Sequence, residues 1–345
     1  MSFKCGISSH SLGRAWVHDL PKKLDQANEY GYHGIEVFVE DLEYVAKALP
    51  GGLTDDNQLV AARKIRKMCD DRDLEIICLQ PFTNYEGLKD PAEHADKIAK
   101  LKLWFRIVKE LRIDLILIPS SFQNQGTTAD RETIVKDLRE VAEMGLEQQP
   151  VIRFAYESLC FGRHTDLWEQ SWDVVVAVDM PNFGLCLDTF NIAGRAWADP
   201  ASADGKIPDA DENLRLSLAA LRKTIEVRKI YYVQVVDAEQ LLTPLDKEHA
   251  FYVDGQAPRM SWSRNCRLFP FEKPGYLPII DVLRAITDDG GEGLGYRGWI
   301  SLELFSRTMV DPSPSCPAEH ARRGMESWHQ LVKVMGWEGK VAGRS

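Results

Sequence analysis

With 345 residues, 44% of them hydrophobic and 27% charged, the chain has an ordinary globular composition and enough apolar mass for a sizeable core. Its net charge of −10 argues against general affinity for nucleic acid, because phosphate binding needs a basic surface. The N-terminal MSFKCGISSHSLGRAW lacks a basic stretch leading into an apolar one, and nowhere do about 18 apolar residues run together, so a cytoplasmic protein with no membrane partner is expected.

Strand-like runs at 5–9, 34–40, 75–81, 115–121, 153–158, 184–190, 231–238 and 298–305 follow one another along the chain. Each leads into a helical pattern: LPKKLDQANEYG, LVAARKIRKMCDD, residues 94–111, ADRETIVKDLREVAEMGL, LWEQSWDVVVAV, ENLRLSLAALRKTIEV, LPIIDVLRAIT and AEHARRGMESWHQLVKVM. Strands that are apolar throughout must be buried on both faces, so eight such βα units indicate a closed parallel sheet. The fold expected is α/β, a single (β/α)₈ TIM barrel whose seventh strand is followed by a long, lid-like loop. No GxGxxG run opens a helix after the first strand, and no GxxxxGK[ST] occurs, so a nucleotide-binding sheet loses its main support. The seven cysteines include no CxxC pair, and those in strand-like runs read as buried, reduced thiols.

Long connections carry function or are disordered. The one after the seventh strand holds QAPRMSWSRNCRLFPFEKPG, whose aromatic content argues for order and whose Arg259, Arg264 and Arg267 are available to an anion. A second long loop, NIAGRAWADPASADGKIPD, follows the sixth strand.

Glu157, Asp188, Gln234 and Glu303 each stand near the C-terminal end of a strand-like run: RFAYE, FGLCLD, IYYVQ and WISLE. In a parallel barrel those ends meet at one mouth. A single acid after a strand commonly caps the next helix, but a recurring set preceded by apolar neighbours is costly to bury without a compensating cation. Three carboxylates and one amide oxygen make an oxygen-only site that suits Mg²⁺ or Mn²⁺ better than zinc. Such an ion polarises a carbonyl and stabilises the enolate formed when the adjacent proton is lost.

The proton carrier is open among strand-end groups: Glu36, Glu40, Glu86, His10, His164 and Asp237. Glu36 stands out as an acid inside the otherwise apolar GIEVF, and its position on the second strand is expected to face the mouth.

The blocks SLGR (11–14), YGYHGIEVFVEDL (30–42), LQPFTNYEGL (79–88), IPSSF (118–122), RFAYESL (153–159), NFGLCLDTFNIAGR (182–195), VQVVDAE (233–239), RMSWSRNCRLFP (259–270) and SLELF, with ARRG beyond it, cover almost the whole chain. In this order they resemble the xylose isomerase-like barrel superfamily, and within it the 3-dehydroshikimate dehydratases of fungal quinate catabolism. The resemblance implies one barrel domain over residues 1–345, and a lyase that turns 3-dehydroshikimate into protocatechuate with Mn²⁺, Mg²⁺ or Co²⁺. It implies the metal set already read from strand ends, with Ser263 and Arg267 holding the substrate's carboxylate. Two positions depart from the pattern. Asn191 stands where bacterial relatives carry histidine, and Thr83 and Asn84 stand where the PF-x-x-[YF]-EG block often has a basic residue. The partner implied is a small anionic cyclic substrate, with a homo-oligomer left open. The alternative within the superfamily is a sugar or polyol isomerase or epimerase, or an inosose-type dehydratase.

Overall fold

The computed structural model describes residues 2–343; Met1, Arg344 and Ser345, at the ends of the expected 1–345 span, lie outside it. The long strands are β1 Lys4–Ser8, β2 Gly34–Phe38, β3 Glu75–Gln80, β4 Leu115–Pro119, β5 Arg153–Glu157, β6 Phe183–Asp188, β7 Ile230–Gln234 and, last in the chain, β10 Trp299–Leu302. Between β7 and β10 come two short strands, β8 Asp237–Ala238 and β9 Arg267–Leu268. The α-helices are α1 Leu20–Glu29, α2 Val39–Lys47, α3 Asp55–Asp70, α4 Pro91–Glu110, α5 Arg131–Leu146, α6 Trp168–Val178, α7 Thr189–Ala196, α8 Ala210–Thr224, α9 Pro258–Asn265, α10 Ile279–Thr287 and α11 Cys316–Val334.

Among the described residues the eight long strands close into a parallel barrel in the order β1-β10-β7-β6-β5-β4-β3-β2. The largest apolar cluster fills the space between strands and helices, with Trp104, Phe154 and Ile300 fully buried in it. Burial of that surface, at about 25 cal/mol per Å², is what holds the helices on the barrel. All seven cysteines are free and buried. No helix among the described residues is long and apolar enough to cross a membrane.

Side chains alternate across a strand, so each barrel strand sends every second residue inward. A lower inner tier contains Cys78, Ala155, Cys186 and Tyr232, which form a separate cluster. Glu36 and Ser301 belong with it, since Glu36 accepts hydrogen bonds from Ser301 Oγ and Tyr232 Oη. Two residues further along the same strands stand Gln80, Glu157, Asp188, Gln234 and Glu303. The barrel thus carries a mainly polar tier directly above a mainly apolar one.

Two expected strands end earlier than their apolar runs. β2 stops at Phe38 and β6 at Asp188, and α2 and α7 begin at the very next residues. Asp188 is also the N-cap of α7, its Oδ1 accepting from Phe190 N at 2.8 Å, so NIAGRA is helical where a loop was expected. The long connection after β7 is likewise built rather than irregular. β8 and β9 pair antiparallel, α9 lies between them, and the buried Trp262 of α9 packs 4.9 Å from the Phe190 ring. The Asp237 carboxylate accepts from the backbone of Ala238, Tyr276 and Leu277 and ties together the two ends of this segment.

Candidate metal centre

Glu157, Asp188 and Glu303 converge as the alternation of β5, β6 and β10 requires, each offering a carboxylate oxygen within 4.8 Å of the others. All three are buried. Burial pushes each carboxyl above the usual carboxylate range; the neighbouring acids add to this at Glu157, while the Arg267 charge opposes it at Asp188 and at Glu303, which reaches about 8. Asn191 holds two of the acids in register, donating from Nδ2 to Glu157 Oε1 at 2.7 Å and to Asp188 Oδ2 at 2.8 Å. Its own Oδ1 accepts from Cys160 N at 2.9 Å, which fixes the amide the right way round. An amide so used has no basic nitrogen, so Asn191 orients the acids rather than carrying a proton.

Gln234 lies in the same tier and is fully buried. Its Nε2 donates to Glu36 Oε2 at 2.9 Å, leaving Oε1 as the ligand-capable atom. Gln80, which the strand-end reading passed over, donates from Nε2 to both Glu36 Oε2 and Glu303 Oε1 at 2.9 Å. It obeys the same rule as Gln234, a polar inward residue at a strand end, and could have been found that way.

Glu36 requires a correction. It was expected at the mouth, but it sits in the lower tier, two residues short of the polar one, and does not line the mouth cavity. Ser301, Tyr232, Gln80 and Gln234 all donate to its carboxylate. A carboxylate taken up by so many donors, and absent from the cavity lining, is placed to orient its neighbours.

Arg267 is buried and lies among the acids. Its Nη1 donates to Asp188 Oδ2 at 3.0 Å and Glu303 Oε2 at 3.1 Å, while Nε and Nη2 donate to Ser263 Oγ at 3.2 and 3.1 Å. The guanidinium also lies over the rings of Phe190 and Phe305, 4.2 and 5.0 Å from their centres. Ser263 and Arg267 do line the cavity, but their hydrogen bonds serve the acids and each other.

The cavity at the barrel mouth has a volume of about 470 Å³. Glu157, Glu303 and Gln80 form its polar floor, and Phe38, Phe122, Phe161 and Phe305 its apolar walls. Several other sequence candidates lie off it. Glu86 accepts from Ser121 N and Tyr156 Oη, His164 pairs with Thr127 Oγ1, and Glu40 with Arg14 and Ala15 N. Arg259, expected to be open to an anion, instead donates to the carbonyls of Gly194 and Ala198. Thr83 lines the cavity, whereas Asn84 is turned to Ser121 and Phe122 N.

These residues fit a divalent cation. Three buried carboxylates face one guanidinium, so the cluster is short of positive charge, and every donor atom offered is a hard oxygen.

The Xylose isomerase-like TIM barrel family profile matches residues 24–331. A Neurospora crassa protein named 3-dehydroshikimate dehydratase is 50% identical over 343 residues, which span 96% of this chain and 94% of its own. A Pseudomonas aeruginosa protein of that name is 27% identical over 292 residues, 83% of this chain but 36% of its own length. Among solved structures, a xylose isomerase-like TIM barrel/4-hydroxyphenylpyruvate dioxygenase fusion protein superposes with a TM-score of 0.71 at 26% identity, covering 99% of this chain and 45% of that one.

Proposed function

The chain belongs to the xylose isomerase-like TIM barrel family, and from that premise we propose that it is a divalent-metal-dependent hydro-lyase converting 3-dehydroshikimate to protocatechuate. The observation that carries this reading is 50% identity, along nearly the full length of both chains, with a protein named for that activity. The mouth cavity supports it, pairing a polar floor with aromatic walls suited to one six-membered ring.

Glu157, Asp188, Glu303 and the Gln234 Oε1 are the proposed ligands of Mn²⁺, Mg²⁺ or Co²⁺. When bound, such an ion supplies Lewis acidity toward a ketone oxygen. Around it, Asn191 aligns Glu157 with Asp188, Gln80 aligns Glu303, and Glu36 fixes the amides of Gln80 and Gln234. Arg267 offsets charge that the acids would otherwise hold unpaired. The carboxylates that line the cavity are those of Glu157 and Glu303, so removal of the proton next to the ketone is assigned to one of these. The β carbon–oxygen bond then breaks with its electron pair on oxygen. Proton and hydroxide together make up the water lost, and the ring becomes aromatic after tautomerisation. Phenylalanine walls keep bulk water from the intermediate.

The test is direct: incubate the Mn²⁺-loaded protein with 3-dehydroshikimate, follow the ultraviolet absorption of protocatechuate, and confirm the product by chromatography. The reading predicts sustained formation of protocatechuate by the wild type and its loss in Glu157→Gln. Turnover of a sugar or polyol, with none of 3-dehydroshikimate, would contradict it.

A further inference from the structure

The cavity has a second polar group that the metal centre does not use: His10, Arg14 and Arg264. His10 lies in the 3₁₀ turn Ser9–Leu12 directly after β1, is 1% exposed, and stacks 4.2 Å from Phe38 with Phe305 at 4.5 Å. The turn closes at Gly13, where φ is +126° and a Cβ would lie 2.5 Å from the His18 ring, and Arg14 follows it beside His10.

The tautomer of His10 follows from its neighbour. Arg14 Nη1 lies 3.3 Å from His10 Nε2, and a guanidinium nitrogen only donates, so Nε2 carries the lone pair and Nδ1 the proton. Burial, with the charges of Arg14, Lys23 and Arg267, holds the ring neutral, well below its ordinary pKa. His10 Nδ1 is then a buried N–H with no acceptor, and Arg14 Nε is another. Buried donors left unpaired are costly and uncommon, and both belong to side chains that line the one cavity, where an acceptor arriving from outside would complete them.

Arg264 adds charge at the same place. It projects from α9 into the exposed mouth, and Nη1 donates to the neutral amide of Gln256 at 2.9 Å. Partial desolvation and repulsion from Arg14 hold its pKa below the ordinary value, as expected of two guanidiniums sharing a site with no anion between them. Arg14 has one carboxylate partner, Glu40 at 2.8 Å, and its guanidinium stacks 4.1 Å from Trp16, an arrangement that holds it in place. Arg267, by contrast, already spends its donors on Asp188, Glu303 and Ser263.

We propose that Arg14, Arg264 and the Nδ1–H of His10 form the subsite for the substrate's carboxylate. The two guanidiniums neutralise it and His10 donates to one of its oxygens, which sets the ring in the cavity with its ketone toward the acid cluster. This deepens the dehydratase reading and rests on it, and it moves the carboxylate clamp from Ser263 and Arg267 to Arg14, Arg264 and His10.

The test compares two ligands of the same shape and different charge, 3,4-dihydroxybenzoate and 3,4-dihydroxybenzamide, by calorimetry on the Mn²⁺-loaded wild type and on Arg264→Gln and Arg14→Gln. The wild type should prefer the acid by about ten-fold or more, the scale of one charge-assisted hydrogen bond. Either substitution should erase most of that preference while leaving amide binding unchanged, and Arg264→Lys should keep part of it. Arg264→Gln touches only an amide partner, so it reads the subsite even if loss of the Glu40 pair impairs folding of the Arg14 variant. A preference that survives in Arg264→Gln, or is missing from the wild type, overturns the subsite. If 3-dehydroshikimate is turned over while the preference survives, the subsite fails and the dehydratase reading stands. If there is no turnover but the acid preference depends on Arg264, the reverse holds. A wild type that binds neither ligand and does not turn over overturns both.

Discussion

Replacing Arg267 by methionine removes the one guanidinium that hydrogen-bonds both Asp188 and Glu303, at 3.0 and 3.1 Å, while leaving an apolar chain between Phe190 and Phe305. Removing one partner of a buried ion pair costs about 3–5 kcal/mol, because the remaining charge is stranded. Summing two hydrogen bonds to charged groups at about 1.5–3 kcal/mol each gives about 3–6 kcal/mol, which overlaps that range. In chelator, Arg267→Met should therefore lose about 3–5 kcal/mol against urea. With saturating Mn²⁺ the ion supplies the missing positive charge, so the loss should shrink to about 1–2 kcal/mol. The assay is a pair of urea titrations per protein, with and without the ion, followed by tryptophan fluorescence. An equal loss under both conditions would refute the idea that Arg267 acts as a counter-charge to a metal-binding cluster.

Glu36→Gln should lower ion affinity by about 10- to 100-fold, the usual effect of removing a group that orients ligands, while leaving the rate at saturating ion close to that of the wild type. A large fall in kcat at full occupancy would restore Glu36 as the base. Asn191→Asp replaces two donors to carboxylates with a fourth negative charge, and should cost about 3 kcal/mol or more in chelator, recovered in part by Mn²⁺. Unchanged urea curves would count against the bridging role. Glu86 is off the cavity, and burial raises its carboxyl to about 7. Its folded pKa lies above the ordinary 4.5, so the folded state binds the proton more tightly and stability falls as pH rises from 4.5 through about 7. Glu86→Gln mimics the protonated form and keeps the acceptor for Ser121 N and Tyr156 Oη, so at pH 8 it should be the more stable protein by up to about 3 kcal/mol. A gap between the two proteins that is the same at pH 5 and pH 8 would contradict this.

The barrel was legible because its strands are buried on both faces and read as unbroken apolar runs, and the gathering of Glu157, Asp188, Gln234 and Glu303 in one tier was legible because a barrel brings strand ends to one mouth. What stayed hidden depends on register and on distant contacts. α2 and α7 follow β2 and β6 without an intervening residue, and the β-branched Val39 and Thr189 that open them suit a strand as well as a helix, so they give no sign of a change in period. Glu36 was misplaced by one tier because strand length does not tell how far up the barrel a strand sits. The pairing of Glu36 with Cys78, and of Phe38 with Gln80, decides it. Arg267 is recognisable as a cation in a loop, but its contact with Asp188 spans 79 positions. The state of His10 depends on an arginine nitrogen 3.3 Å away, a fact of geometry that composition does not carry.

One divalent ion, held where β5, β6, β7 and β10 end, is proposed to be required for dehydration of 3-dehydroshikimate. The most direct measurement titrates Mn²⁺ into chelator-stripped protein, reading bound ion by electron paramagnetic resonance and protocatechuate formation in the same samples, for the wild type and for Glu303→Ala. The wild type should bind one ion per chain and turn over at a rate that rises in proportion to occupancy, and the variant should show neither binding nor turnover. Full turnover by the stripped wild type, or normal ion binding by Glu303→Ala, would contradict it.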